Sequence, residues 1–425
     1  MTRVRFGMVV APKNIHLFSG IVVLVYVLMI LKPVPLLKQT KIIHSPWLTP
    51  KRSMLAICLK TGIETSIERI PVQLLTFLKN EQPLVISDFK ETIGTVKVVN
   101  ILPNIKQRIT YPTNRHVESI ASDEQKPNER NEGWKLDAWK NYPGFQLLLK
   151  DNPDSKWFIM IDDDTYLFKN NLMAHLNTLD HTEPTYIGAA NNFRGCDGVI
   201  KMGEGPFFAH GGSGIVLSKA AIEKLADNVD DCEVKYEGCW AGDIRTSLCL
   251  RDQGILFNRD KATMNFHGNP IQKQKFVGPC STPFTFHHLF PFQIQLLHNL
   301  EVKVQEEVGK DALVTMGQVF KYILENDAVL KSTFNDRIPI KITDKNDIEH
   351  EFTYRKGIDF KGADYNHFES TIEECILKCF EDVNCVSWTY TEDTKTCWKK
   401  NGVPMHSQIP SSSSGWFDEK FKCDL

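Results

Sequence analysis

The sequence predicts an α/β domain built on a mixed central sheet, with a membrane anchor before it and a small disulfide-stapled module after it. Three observations predict this. Short apolar runs alternate with helix-spaced segments from Met54 to the region of Phe292. An uncharged stretch, Ile15–Leu31, lies between basic flanks. Of the 11 cysteines, Cys375, Cys379, Cys385, Cys397 and Cys423 crowd the end of the chain. The composition suits this plan: 425 residues, 42% hydrophobic and 24% charged, exclude wholesale disorder and call for two or three domains. A formal net charge of −2 provides no polycationic surface, so nucleic acid is not expected as a partner.

Each element follows in order. Ile15–Leu31, extended through Val34 and Leu37, supplies the roughly twenty residues a helix needs to cross the hydrocarbon core. A cleaved signal peptide is the alternative. The run is longer than a typical signal core, and Lys32-Pro33-Val34-Pro35 after it offers no small-residue cleavage site. Residues 1–14 then form a tail, 15–37 a signal anchor and 38–50 a stem. Basic residues stand on both sides (Arg3, Arg5 and Lys13; Lys32, Lys38 and Lys41), so their count does not orient the anchor. The cysteine cluster does, because stapling requires an oxidising lumen. The expectation is a single-pass type II protein of the Golgi or ER membrane.

Met54–Leu59 reads as a buried strand, and Ile67–Leu78 as a helix through Ile67, Ile70, Leu74, Leu75 and Leu78. Leu84–Ser87 is a second strand, ending at Asp88. The polar stretch Arg115–Glu132 reads as a loop, and Leu136–Leu149 as a helix closed by Asn152-Pro153. Trp157–Ile161 (WFIMI) is the strongest buried strand, and Asp162-Asp163-Asp164 follow it at once. These elements place an α/β domain at residues 51–295. Helix spacing at Val319, Phe320, Ile323 and Leu324 marks a connecting region, 296–351, whose charged end Asp344–Glu351 reads as a linker. The stapled module occupies 352–425, with Ser411–Gly415 (SSSSG) as a flexible loop inside it.

The chemistry concentrates in few places. In open α/β sheets ligands bind beyond the carboxyl ends of the strands, where the aspartates sit. Adjacent carboxylates repel unless solvated or neutralised, and their oxygens suit Mg²⁺ or Mn²⁺ gripping a substrate diphosphate. His210-Gly211-Gly212-Ser213-Gly214 precedes a strand passing into a helix; its glycines either admit a bulky substrate or make a tight turn. Asp243, at a helix start, is either a first-turn charge or a general base. His267 and the pair His287-His288 are candidate metal ligands. Intervals of three, five and eleven residues between Cys375, Cys379, Cys385 and Cys397 lack the close pairs of a zinc site and favour disulfides.

In this order KWFIMIDDDTYLF, AHGGSGIVLSKAAIEKL, GCWAGDIRTSLCL, FHG and TFHHL resemble fringe-like β1,3-glycosyltransferases, a family that includes the core 1 β1,3-galactosyltransferases. The opening ICLKTG, IPVQLLTFL and LVISD resemble its nucleotide-binding start. The resemblance implies a GT-A-like fold, a UDP-sugar donor, a glycan or glycoprotein acceptor, and Mn²⁺ or another divalent cation. It implies Asp162 and Asp164 as metal and diphosphate carboxylates with Asp163 beside them, and Asp243 as catalytic base. Lys60, Thr61, Asp88 and Lys140 would lie near the nucleotide, and His267 would be the metal histidine, with His287 or His288 as alternatives. The tail, GIDFKGADYNHFESTIEECILKCFEDVNCVSWTYTEDTKTCWKK, resembles an α+β PAN/apple module, as in fungal members of this transferase family, and implies Cys375–Cys397 and Cys379–Cys385 bridges. That leaves Cys423 without a local partner and at least one thiol of the odd total free or intermolecular, so a homo-oligomer stays open. The resulting expectation is an inverting, metal-dependent transferase of a hexose, galactose foremost. The rivals are a catalytically inactive anchored protein binding carbohydrate or protein through its PAN module, and a folding assistant for a related transferase.

Overall fold

The computed structural model describes residues 54–102, 136–192, 205–239, 241–270, 278–326, 337–402 and 405–423. The expected tail, anchor, stem and Arg115–Glu132 loop lie outside them. Among the described residues no helix is long and apolar enough to cross a membrane.

The fold is mixed α/β, as the sequence predicts. It opens with β1 (Leu55–Lys60), α1 (Ser66–Leu75), β2 (Leu84–Ser87), β3 (Glu91–Ile93) and β4 (Val96–Asn100). After α2 (Asn141–Asp151) come β5 (Trp157–Asp162), β6 (Tyr166–Leu167), α3 (Lys169–Leu176), β7 (Tyr186–Gly188), β8 (Ala190–Asn191) and β9 (Phe208–Ala209). Then β10 (Ile215–Ser218) leads into α4 (Lys219–Asp227), α5 (Val229–Lys235) and α6 (Gly242–Asp252). Seven strands form one sheet in the order β3-β4-β2-β1-β5-β10-β7. Strands β4, β2, β1 and β5 are parallel, while β10 runs antiparallel to β5. Every residue of β1 is buried, which is why it reads as one apolar run without alternation. Parallel pairing brings the carboxyl ends of these strands to one edge, with Lys60 directly opposite Asp162.

Short strands β11 (Phe266–His267) and β12 (Thr285–Phe286) join β6 in a second sheet, ordered β11-β12-β6. Two helices follow, α7 (Pro291–Val308) and α8 (Met316–Asn326). The C-terminal module is a six-stranded sheet ordered β13-β14-β18-β16-β17-β15. Its strands are β13 (Ile338–Thr343), β14 (Glu349–Lys361), β15 (Asp364–Glu369), β16 (Ser387–Thr391), β17 (Thr396–Lys400) and β18 (Met405–Trp416). Helix α9 (Ile372–Glu381) packs on this sheet, and Thr371 caps it by accepting from the Glu374 amide.

Two expectations need correction here. Asp344–Glu351 is not a linker: β13 pairs with β14 across this segment, so the module's sheet begins at Ile338. Its charge density comes from a tight turn, in which Asp344 Oδ1 accepts from the Asn346 and Ile348 amides at 2.8 and 3.0 Å. Nor is Ser411–Gly415 a flexible loop. It lies in β18 between β14 and β16, with Ser412, Ser413 and Ser414 buried. Gly415 has no room for a side chain, because a Cβ there would come within 2.9 Å of the Trp388 ring. Ser414 Oγ donates to Ile358 O at 2.8 Å and shares a 2.8 Å hydrogen bond with Thr389 Oγ1.

Cys375–Cys397 and Cys379–Cys385 form as the PAN resemblance implies. Cys232 pairs with Cys249, joining α5 to α6, and Cys239 is also disulfide-bonded. Cys423 does have a partner, Cys280, far back in the chain. Among the described residues the free thiol is Cys58, fully buried on β1 and therefore out of reach of a second copy.

Candidate active site

The site forms where the parallel strands end. Beyond β5 the chain makes a tight turn, with Thr165 N donating to Asp162 O at 3.1 Å, and Asp163 points into the protein. Its carboxylate accepts from Thr61 Oγ1 at 2.6 Å, Thr65 Oγ1 at 2.7 Å and Arg69 Nη1 at 2.9 Å. Asp163 is thus an anchor for the turn, not the donor-binding group expected from the sequence. Asp164 Oδ2 accepts from the same Arg69 Nη1 at 3.1 Å, while its Oδ1 and the Asp162 carboxylate lie toward His287.

Lys60 Nζ lies 3.2 Å from Asp162 Oδ1 and donates to Asp137 Oδ2 at 2.6 Å. Lys140 Nζ donates to Thr61 O at 2.9 Å and pairs with Asp88 at 3.1 Å. The four residues expected near a nucleotide are therefore one cluster, drawn from the ends of β1 and β2 and the start of α2. Lys60, Lys140 and Asp88 are almost fully buried, which such ion pairing makes tolerable. Burial holds the Asp162 carboxyl up at about 6 despite the opposing pull of Lys60.

The small sheet delivers the histidines. In the β12–β6 pairing Phe286 stands opposite Tyr166, so one further step carries His287 and His288 alongside Thr165 and Asp164. Backbone bonds hold that register, Leu289 N to Asp164 O at 2.9 Å and His287 N to His267 O at 3.0 Å. His287 Nε2 stands 3.1 Å from Asp164 Oδ1 and 3.9 Å from Asp162 Oδ2. Burial works against ionisation of both His287 and Asp164. Their mutual attraction outweighs it, raising the histidine's pKa and lowering the carboxyl's, with Arg69 assisting the latter. His288 is exposed and takes a left-handed backbone, φ 62°, uncommon for a side chain with a Cβ.

Asp164, His287 and His288 each present a ligand atom, and these atoms lie within 4.8 Å of one another. Asp164 Oδ1 is buried with His287 Nε2 3.1 Å away, so the carboxylate and the imidazole would turn to a cation together. Two imidazoles and a carboxylate suit Mn²⁺ or a similar divalent ion. His267, the histidine favoured from its distance to Asp243, is not in this group. It pairs in register with Phe286 and therefore shares that residue's face, opposite to His287. Its ring stacks on Phe286 at 5.3 Å, and burial pushes its pKa down to about 4.

Asp243 occupies the first turn of α6. Its Oδ1 accepts from the Ile244 amide at 2.8 Å and its Oδ2 from the Gly211 amide at 3.0 Å. Burial raises its pKa against these two bonds and the nearby Lys60 charge. The glycine-rich turn thus holds Asp243 on one side, and it holds His287 on the other. A Cβ on Gly212 would lie 2.1 Å from His287 Nε2, so the imidazole rests directly on the backbone. Ser213 lies within reach of His210 Nδ1, at 3.3 Å from its Oγ, and the His210 ring is 5.2 Å from that of His287. Sequence reasoning missed Asp137 and Arg69, and gave His210 no role beyond its place in the glycine-rich motif. Asp137, three residues before Lys140, carried a weak signal in that spacing. Arg69 carried none.

Comparison with known proteins accords with this geometry. Residues 104–246 match the Fringe-like family, a span that holds β5, the acidic triplet, the glycine-rich turn and Asp243. Residues 206–290 match a family described as protein of unknown function DUF604, and 358–400 match the PAN domain. The chain thus carries a fringe-like domain followed by a PAN domain, as its motifs anticipate. Human chondroitin sulfate glucuronyltransferase is 33% identical over 79 residues, 19% of this chain and 10% of that protein. Mouse beta-1,3-glucosyltransferase is 25% identical over 145 residues, 33% of this chain and 27% of its own length. Beta-1,3-N-acetylglucosaminyltransferase radical fringe of Xenopus laevis is 33% identical over 104 residues, 20% of this chain and 31% of the relative. These relatives are glycosyltransferases, and the chain aligns with less than a third of the length of each.

Proposed function

We propose that this chain is an inverting, metal-dependent glycosyltransferase that moves a hexose, galactose foremost, from a UDP-sugar to a glycan or glycoprotein hydroxyl. We place it as a single-pass type II protein with its catalytic domain in the Golgi or ER lumen, the anchor being residues 15–37. The β1,3 linkage is supported by the names of two relatives, and galactose by the core 1 resemblance. One observation carries the reading: the Asp164, His287 and His288 ligand group and Asp243 are fastened to the same glycine-rich turn.

Lys60, Thr61, Asp88 and Lys140 build a rigid floor for the nucleotide half of the donor. Asp164, His287 and His288 would hold the cation, which supplies positive charge to the diphosphate as it leaves. Asp243 takes the acceptor's proton. The acceptor oxygen bonds to the anomeric carbon, the bond from that carbon to the diphosphate oxygen breaks, and its electron pair departs with UDP. Attack from the opposite face converts an α-linked donor into a β-linked product. The raised pKa of Asp243 makes it a stronger base than an exposed carboxylate.

Asp243→Asn tests the assignment. It is expected to keep UDP-sugar binding and to cut transfer by roughly 10²- to 10⁴-fold, the usual contribution of a general base. Transfer at the parent rate contradicts the role given to Asp243.

A further inference from the structure

We infer that the C-terminal PAN module is a positioning brace for the metal-binding histidines, built into the same core as the site, and not a detachable binding module. The inference rests on reading Asp164, His287 and His288 as the metal site. Its own support is a continuous path of contacts from the chain's last residues to β12.

The path starts at Cys423, whose disulfide to Cys280 closes a sequence separation of 143 residues. Cys280 lies five residues before β12 and seven before His287. Phe421, two residues earlier in the tail, lies against the start of α8 so closely that a Cβ on Gly317 would come within 2.0 Å of its carbonyl oxygen. That same turn of α8 grips the segment before β12, with Met316 N to Ser281 O at 2.7 Å and Gly317 N to Pro279 O at 3.0 Å. Asn171 on α3 completes the clamp, donating to Pro283 O at 2.7 Å and Val314 O at 2.8 Å. The tail therefore fixes residues 279–283, and these lead straight into the strand that presents His287.

The apolar packing follows the same route. Tyr166, Phe286 and Leu289, each within two residues of the metal group, share one buried cluster with Ile358, Phe360, Val386, Trp416 and Phe421 of the module. Helices α7 and α8 fill the space between through Leu297, Leu300, Val319 and Phe320. A ligand strand of two residues has little stability of its own. Its order must come from what packs behind it, and much of that packing belongs to the module. A module that only bound ligands would need neither the cystine nor the shared core.

The test uses the full-length chain with Cys280→Ser and Cys423→Ser together, and reads two quantities. Amide hydrogen exchange at residues 284–289 reports the brace without any metal, and titration with Mn²⁺ alone reports the site. The double variant is expected to quicken exchange there by about tenfold or more, with β1 and β5 unchanged. Its Mn²⁺ affinity is expected to fall about tenfold, the usual effect of losing a group that orients a ligand. Removing a cystine internal to the module, with Cys379→Ser and Cys385→Ser, should leave both readouts near the parent values. Should the first variant not fold, Gly317→Ala keeps every cysteine yet pushes the tail off α8, and a smaller change in the same direction is expected. Unchanged exchange at 284–289, or equal loosening by the Cys379 and Cys385 pair, overturns the brace. Absence of Mn²⁺ binding in the parent chain overturns the site reading instead, while the exchange data still decide the brace.

Discussion

Asp162, Asp163 and Asp164 follow one another where β5 runs out into a tight turn, and that turn gives their carboxylates different partners. Asp163 is taken up by Thr61, Thr65 and Arg69, which pins the turn. Asp162 pairs with Lys60, and Asp164 with His287 and Arg69. The two-residue period of the small sheet explains the histidines. His267 lies on the Phe286 face of its small sheet, whereas His287 lies on the face of Asp164. His287→Ala should therefore lower Mn²⁺ affinity by 10-fold or more, as loss of a ligand does, measured by titration of the donor-free protein (roughly, for a ligand rather than its supporting group). His267→Ala should leave that affinity within about twofold while lowering thermal stability, since it removes a buried ring stacked on Phe286. The reverse ranking contradicts the assignment. That ligand residues would come from this part of the chain was legible in the sequence. Which histidine faces the aspartate was not, because the answer lies in strand register.

At the scale of elements, the glycine-rich turn joins base and metal ligand. From the sequence its glycines could serve a substrate or a tight turn. The structure adds a third reason, close packing against His287, a residue 75 positions further on and invisible to local pattern. Gly212→Ala is expected to displace His287 and weaken Mn²⁺ binding at least about fivefold, with an overpacking cost of about 1–3 kcal/mol in stability. Calorimetric titration and thermal unfolding check the two parts, and unchanged Mn²⁺ affinity contradicts the packing argument. The long apolar strands were legible because burial on both faces writes itself into composition, as in β1 and β5. The short strands β6, β11 and β12 were not, since two residues carry no periodicity. Strand β18 was misread for a related reason: its serines look like a linker, and only their buried pairing between β14 and β16, beside a Gly415 packed on Trp388, shows otherwise.

At the scale of the molecule, two domains recognisable as separate segments of sequence share one core. The sequence placed the PAN-like module, and its two internal cystines followed from the resemblance. The Cys280–Cys423 bridge did not, because connectivity depends on which chain ends meet in space. The same limit hid the hairpin of β13 and β14, whose charged turn resembles a linker in composition alone.

The central claim is metal-dependent transfer from a UDP-sugar. Its most direct test is UDP release by the full-length chain from a panel of UDP-galactose, UDP-glucose, UDP-N-acetylglucosamine and UDP-glucuronic acid, each with Mn²⁺ and with chelator. The account predicts turnover of UDP-galactose above the others, present with Mn²⁺ and lost with chelator. Turnover of no donor under either condition contradicts it and leaves a catalytically inactive, carbohydrate- or protein-binding chain.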